Sequence, residues 1–312
     1  MEAVLNPALI LFLSGIIIGI TFKITLPNSI SKYLGYYLLL ALGLKGGLSL
    51  QENGFINDVI SALSLGILFA LLIPAIAYFY LKNILNTEDA AALSGTYGSV
   101  SAVTFVTAIA YLSTTNQDFD NYMSAVLVVM EFPAIFMALY LVTHNKINKG
   151  TNLQTIKTAF LEIPNIILIS SLFVGYFVNK TVISNIDIFI VTVFDYILYV
   201  FLFVMGTRVA KRTGELKGKG VNLIAFALLT PLIGSLIALI ASINFDLSVG
   251  NSTLLMVLTA SASYIAVPAV VKDAIPDANP AIYLGLSLGV TFPFNIIFGI
   301  PLYNELAKYF IG

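Results

Sequence analysis

The chain has 312 residues, of which 59% are hydrophobic and only 10% charged, and its mean hydropathy is +0.96. No soluble core of this size needs so much apolar surface, so the composition places the chain among polytopic membrane proteins. A formal net charge of -1 provides no basic face for nucleic acid, and the absence of Cys excludes disulfides, iron–sulfur clusters and thiol chemistry.

Ten apolar segments follow one another, at 8–22, 30–44, 58–81, 88–112 and 121–143, then 163–178, 186–207, 221–243, 252–271 and 281–303. Several approach the ~20 residues that a helix needs to cross ~30 Å of hydrocarbon. Glu2 is the only charge ahead of the first segment, which therefore lacks the basic region of a signal peptide and reads as a retained span. With no Trp, interfacial anchoring falls to the 16 Tyr. If the loops alternate sides, eleven of the 15 Lys and Arg lie on one side, five of them in the run Arg208, Lys211, Arg212, Lys217 and Lys219. The other side holds Lys45, Lys180 and Lys308, while Lys32 lies in or beside the second span. The positive-inside rule puts the rich side in the cytoplasm, so both termini are expected on the outer side of a cell inner membrane.

The two halves correspond. Ser14 and Gly19 match Ser170 and Gly175; Gly43-Leu44-Lys45 matches Gly206-Thr207-Arg208; Ser99 and Ser101 match Ser261 and Ser263; Glu131-Phe132-Pro133 matches Thr291-Phe292-Pro293. An odd number of spans per half turns the second copy upside down in the membrane. The expected plan is therefore all-α, with a first five-helix repeat at 1–147, a cytoplasmic connector at 148–160 and a second, inverted five-helix repeat at 161–312, a frequent transporter plan.

The fourth and ninth spans are interrupted. Gly95, Gly98, Ser99 and Ser101 crowd the middle of one, and Ser261, Ser263 and Pro268 the middle of the other. Glycine weakens helix by roughly 1 kcal/mol and serine offers the backbone competing hydrogen bonds. Eleven residues separate Glu88 from Ser99, ~16 Å of helix, which puts the break near the bilayer midplane. Each restarting half-helix presents unpaired N–H groups and about half a positive charge. Two such ends facing one another suit a small anion, with Gly98, Ser99, Val100, Ser101, Ala102 and Thr104 on one side and Ser261, Ala262 and Ser263 on the other. The plainer alternative is that these small residues only let helices approach closely.

Glu131 lies close to the midplane of the fifth span, where a carboxylate must be paired, hydrated or protonated. Its repeat partner is Thr291, with Asn295 one turn on; together with Ser99 these oxygens form a candidate sodium site beside carbonyls freed near Pro133 and Pro293. The alternative is a protonated Glu131 tying two helices together. Asp195 reads as nearer the outer interface, Asp89 as a cap on the fourth span, and Gly46-Gly47 after Lys45 as a turn. The single His144 reads as solvated, and the run from Arg208 to Lys219 as a topology determinant. No H-E-x-x-H helix, aspartate pair or serine with a nearby histidine marks an intramembrane enzyme.

The stretches GTYGSVSAVTFVTA, Lys45–Gly47, VMEFPAI at 129–135 and VTFPFNIIFGIPLY at 290–303 resemble the sodium-dependent bicarbonate permease family, the SbtA type, over essentially the whole chain. The resemblance implies a core domain moving against a gate domain, a homotrimer, and bicarbonate held between the interrupted helices with sodium beside it. Gly98, Ser99, Ser101, Thr104, Ser261 and Ser263 match the family's binding pattern, and Glu131 and Asn295 match polar positions. Cyanobacterial members carry a longer connector than the 20 residues at 143–162, which bears on control by a PII-like partner. The expected function is sodium-coupled bicarbonate import by alternating access; symport of another small anion such as a carboxylate, or facilitated anion passage, are the alternatives.

Overall fold

The computed structural model describes residues 7–24, 26–145, 161–178, 193–212, 220–265, 267–268, 270–271 and 275–312. Among them there is no strand. Eleven helical elements carry the chain: α1 (Pro7–Phe22), α2 (Asn28–Asn53), α3 (Asn57–Leu81), α4 (Thr87–Gly98), α5 (Ala102–Thr114), α6 (Met123–Asn145), α7 (Ile163–Phe177), α8 (Val193–Arg212), α9 (Val221–Asn244), α10 (Val249–Ala260) and α11 (Pro280–Ile311). By length and hydropathy six stretches of the described residues are able to cross a membrane, counting α4 with α5 as one, while α1, α7 and α10 are shorter apolar helices. The connector at 148–160 and the lysines Lys146, Lys149, Lys157, Lys180, Lys217, Lys219 and Lys272 lie outside the described residues.

Two helix pairs cross through small residues. α1 packs on α8 and α2 packs on α7. A Cβ on Gly15 would strike the Phe203 carbonyl, and one on Gly206 would strike the Phe12 carbonyl. In the other pair, Gly43 meets Ser171, and Gly175 meets the Leu44 carbonyl. Backbones this close exchange dispersion contacts that no side chain supplies, the usual basis of helix association in lipid.

This packing corrects one expectation. Lys45-Gly46-Gly47 is not a turn: α2 continues to Asn53. Gly46 rests on Ser124 and Ala125 of α6, and Gly47 on Leu172 and Tyr176 of α7. The glycine pair serves close approach on two faces rather than a change of direction. Lys45 is thus a helical residue, with its ammonium 4.5 Å from the Phe194 ring centroid; like Arg208, Lys211 and Arg212 in α8 and Lys308 in α11, it belongs to a helix rather than a loop.

The remaining helices pack around the broken ones. α3 and α6 flank α4, and α9 and α11 flank α10. Pro74 of α3 presses on Gly98, the last residue of α4, and Gly234 of α9 sits where a Cβ would lie 2.6 Å from the Thr259 carbonyl near the end of α10. Asn86, rather than Asp89, caps α4, its Oδ1 accepting the Asp89 N–H at 2.7 Å. The Asp89 carboxylate reaches instead to the Asn279 N–H ahead of α11, at 2.7 Å. Asn251, 162 residues on, is placed alike: capped by Ser248, it accepts the Asp120 N–H at 2.8 Å and donates to the Asp120 carboxylate at 2.7 Å, just ahead of α6. Each broken helix is thereby tied to the start of a helix in the other half of the chain.

Candidate functional site

α4 stops because Ser99 is extended (φ -91°, ψ 168°), and α10 stops because Ser261 adopts nearly the same conformation (φ -86°, ψ 164°). α5 restarts at Ala102 under a Ser101 cap: the Ser101 Oγ accepts the Thr104 N–H at 3.2 Å and the Thr104 hydroxyl at 2.9 Å. After the second break the Ser263 Oγ accepts the Val267 N–H at 3.3 Å. A serine oxygen that accepts from a helix's first turn satisfies one orphan donor and keeps its own proton for donation.

The two breaks cross. The Ser101 N–H donates to Ser261 Oγ at 2.9 Å, and the Ser263 N–H donates to the Thr96 carbonyl at 2.8 Å. Ser261 in turn donates to the Leu258 carbonyl at 2.9 Å. Ser99, Ser101, Thr104, Ser261 and Ser263 are all buried. The crossing therefore places the start of α5 and the end of α10 in direct contact, with two capping hydroxyl protons nearby. Of the other expected anion residues, Gly98 is packed under Pro74, Val100 joins the apolar core, Ala102 is half-buried at the start of α5, and Ala262 is buried in a second apolar cluster with Tyr97 and Phe226.

The four expected sodium residues fall into three groups. Glu131, 6% exposed, accepts from the Ser99 hydroxyl at 2.5 Å. Thr291 donates to the Ala227 carbonyl at 2.7 Å and accepts from the Tyr97 hydroxyl at 2.5 Å. Asn295 donates to the Ala260 carbonyl, the last of α10, at 2.8 Å, and accepts from Tyr303 at 2.8 Å. Only Glu131 and Ser99 touch one another. Thr291 and Asn295 instead hold backbone carbonyls of α9 and α10. Both lie in stretches of α11 wound as π-helix, Ser287–Thr291 and Asn295–Gly299, which flank Pro293. Such turns inside α-helices are frequent at functional sites.

Thr96, Tyr97, Tyr303, Asn251 and Asp120 take part in these networks and were not singled out by the sequence. Asn251 had a signal, since the repeat correspondence pairs it with Asp89. The others had none: Thr96 contributes only a carbonyl, and the tyrosines join partners 194 residues away (Tyr97 with Thr291) or eight residues back (Tyr303 with Asn295). Asp195 is exposed in the first turn of α8, and His144 lies near the end of α6.

A comparison with curated proteins gives no match. A comparison with protein families matches residues 7–308, nearly the full chain. Buried, crossing helix breaks in a many-helix apolar chain agree with that match, and the chain belongs to the Na+-dependent bicarbonate transporter superfamily.

Proposed function

We propose that this protein imports bicarbonate together with sodium by alternating access, in an elevator-like movement of a core domain against a gate domain. The observation that carries the reading is the reciprocal crossing, Ser101 N–H on Ser261 and Ser263 N–H on Thr96. The anion lies against the N-terminal turn of α5 and the restart after Ser263, taking hydrogen bonds from the Ser101 and Ser263 hydroxyls. Sodium lies on the Glu131 and Ser99 side, near the C-terminal ends of α4 and α10, where the helix dipoles are negative.

The gate is formed by α1, α2, α7 and α8, whose paired crossings are independent of the broken helices; the core is the rest. The reciprocal exchange between these pairs, and the matching latches at Asp89 and Asn251, support two inverted five-span repeats; the loop distribution of Lys and Arg is what favours both termini outside. The family likeness makes a homotrimer the expected assembly, which light scattering in detergent checks. Moving bicarbonate into a negative interior opposes ~2.3 kcal/mol per 100 mV, and one sodium entering with it cancels that charge. Uptake of labelled bicarbonate into proteoliposomes, with and without an inward sodium gradient, tests the reading. Equal rates reject the coupling, and stimulated uptake of a small carboxylate but not bicarbonate reassigns the anion.

A further inference from the structure

α10 ends at Ala260 with carbonyls to satisfy. A helix leaves its last four carbonyls without partners, and at the bilayer midplane no water meets them. Ser261 takes the Leu258 carbonyl with both its N–H and its hydroxyl. The Ala260 carbonyl, adjacent to Ser261 in the chain, is met by a side chain from another helix, the Asn295 amide of α11 at 2.8 Å.

Asn295 is itself held from behind. Its Oδ1 accepts from the Tyr303 hydroxyl at 2.8 Å, and Tyr303 stands beside Ser235 of α9. That bond sets the amide's orientation: with the oxygen turned to Tyr303, the nitrogen faces Ala260. All four residues are buried. Gly299 clears the space between them, since a Cβ there would lie 2.6 Å from the Asn295 Oδ1 and 3.0 Å from the Tyr303 hydroxyl. The winding of α11 brings the pair together. Eight residues of α-helix turn through about 800°, which would leave Tyr303 roughly 80° around the helix from Asn295. The π-turn at Asn295–Gly299, closed by the Ile300 N–H on the Asn295 carbonyl, absorbs one residue more than an α-turn and returns Tyr303 to the same face.

Resting on the crossing as the anion site, we propose that Asn295 is a positioning residue of that site rather than a sodium ligand. Held by Tyr303, its amide pins the last carbonyl of α10 and so sets where the Ser261 hydroxyl oxygen meets the Ser101 N–H, 2.9 Å away. That bond aims Ser101, whose hydroxyl proton goes to the anion. A cation takes oxygen and not N–H; Asn295 turns its nitrogen to the break and its oxygen to Tyr303. The residue therefore acts on anion affinity through Ser261, and the π-turn is the local structure that lets it do so.

Two variants separate these roles. Asn295→Leu keeps the volume and deletes both bonds; Tyr303→Phe is milder and only frees the amide to turn. Amide exchange at Ser101, read in detergent by mass spectrometry of overlapping peptides, is expected to quicken about tenfold in Asn295→Leu, as for the loss of one buried hydrogen bond, and by a smaller factor in Tyr303→Phe. Exchange at Asp120, whose N–H bonds Asn251 near the other end of α10, is expected to hold. Ser101 exchange unchanged in either variant that elutes as wild type on size exclusion overturns the proposal, and so does quickening at both amides alike, which a purely structural role would produce. In proteoliposomes Asn295→Leu is expected to raise half-saturating bicarbonate about tenfold with the maximal rate kept. The sodium concentration for half-maximal thermal stabilisation, without bicarbonate, is expected to stay at the wild-type value. A sodium midpoint that rises while Ser101 exchange stays put makes Asn295 a ligand and overturns the proposal. Wild-type protein that takes up no bicarbonate, while both variants quicken Ser101 alone, rejects bicarbonate at the crossing and not the positioning.

Discussion

Ser101 has two roles that two substitutions separate. Its oxygen caps α5 by accepting from Thr104, and its proton is the proposed donor to the anion. Replacing an N-cap serine with alanine costs ~1 kcal/mol, whereas glycine, free to hold the extended φ of -107° seen here, costs only a few tenths. Both substitutions delete the same hydroxyl. A hydrogen bond to a charged group contributes ~1.5–3 kcal/mol, so both are expected to raise the bicarbonate concentration for half-maximal uptake by ~10- to ~150-fold. Only Ser101→Ala should also lower the melting temperature measurably, by ~2 °C on the scale of large domains. The backbone bond from Ser101 N–H to Ser261 survives in both. Uptake is followed with labelled bicarbonate at saturating sodium, and unfolding by light scattering in detergent. A glycine variant that keeps the wild-type half-saturation removes the Ser101 hydroxyl from the anion site. An alanine variant no less stable than the glycine variant refutes the cap.

Three further substitutions probe different links. Glu131→Gln keeps a hydrogen-bond acceptor for Ser99 but removes the charge; it is expected to raise the sodium requirement of uptake at least tenfold, read from sodium titrations at fixed bicarbonate. Asn295→Ala frees the buried Ala260 carbonyl and takes one of two hydroxyl partners, Asn295 and Ser235, from Tyr303; one unmet buried carbonyl at ~1–3 kcal/mol should lower thermal stability by a few degrees in detergent. Gly175→Leu drives a side chain into the Leu44 backbone and should abolish the monodisperse peak on size exclusion, whereas the same change at exposed Gly220, with open space around its Cβ position, should leave it unaltered.

The breaks were legible because their cause is local: Ser99 and Ser261 lie among small and hydroxyl residues that compete with helix, and each ends its helix as that chemistry predicts. Gly46-Gly47 was misread for the opposite reason. A glycine pair is equally a turn and a contact surface, and what decides between them here, Leu172 and Tyr176 of α7, lies over 120 residues away. Asn295 and Thr291 were picked out as buried oxygen ligands, yet their positions in the networks depend on which carbonyls α11 meets, Ala260 and Ala227. Nothing in the residues themselves encodes that.

The crossing also explains why one ion should help bind the other. At each break a helix ends and another begins within a few residues, so a negative dipole end and a positive one lie side by side. Ser99 faces the first kind through Glu131, and Ser101 the second through Thr104. A sodium near Glu131 and an anion near Ser101, ~6 Å apart at an effective dielectric of ~20, attract by ~3 kcal/mol. That is the ceiling on coupling, ~100-fold in affinity either way, because linkage obliges the anion to tighten sodium as much as sodium tightens the anion. Without sodium the Glu131 carboxylate would repel the anion across the same gap. With the ions placed as proposed, an anion carried without sodium would meet that repulsion across Ser99, Ser101 and Glu131.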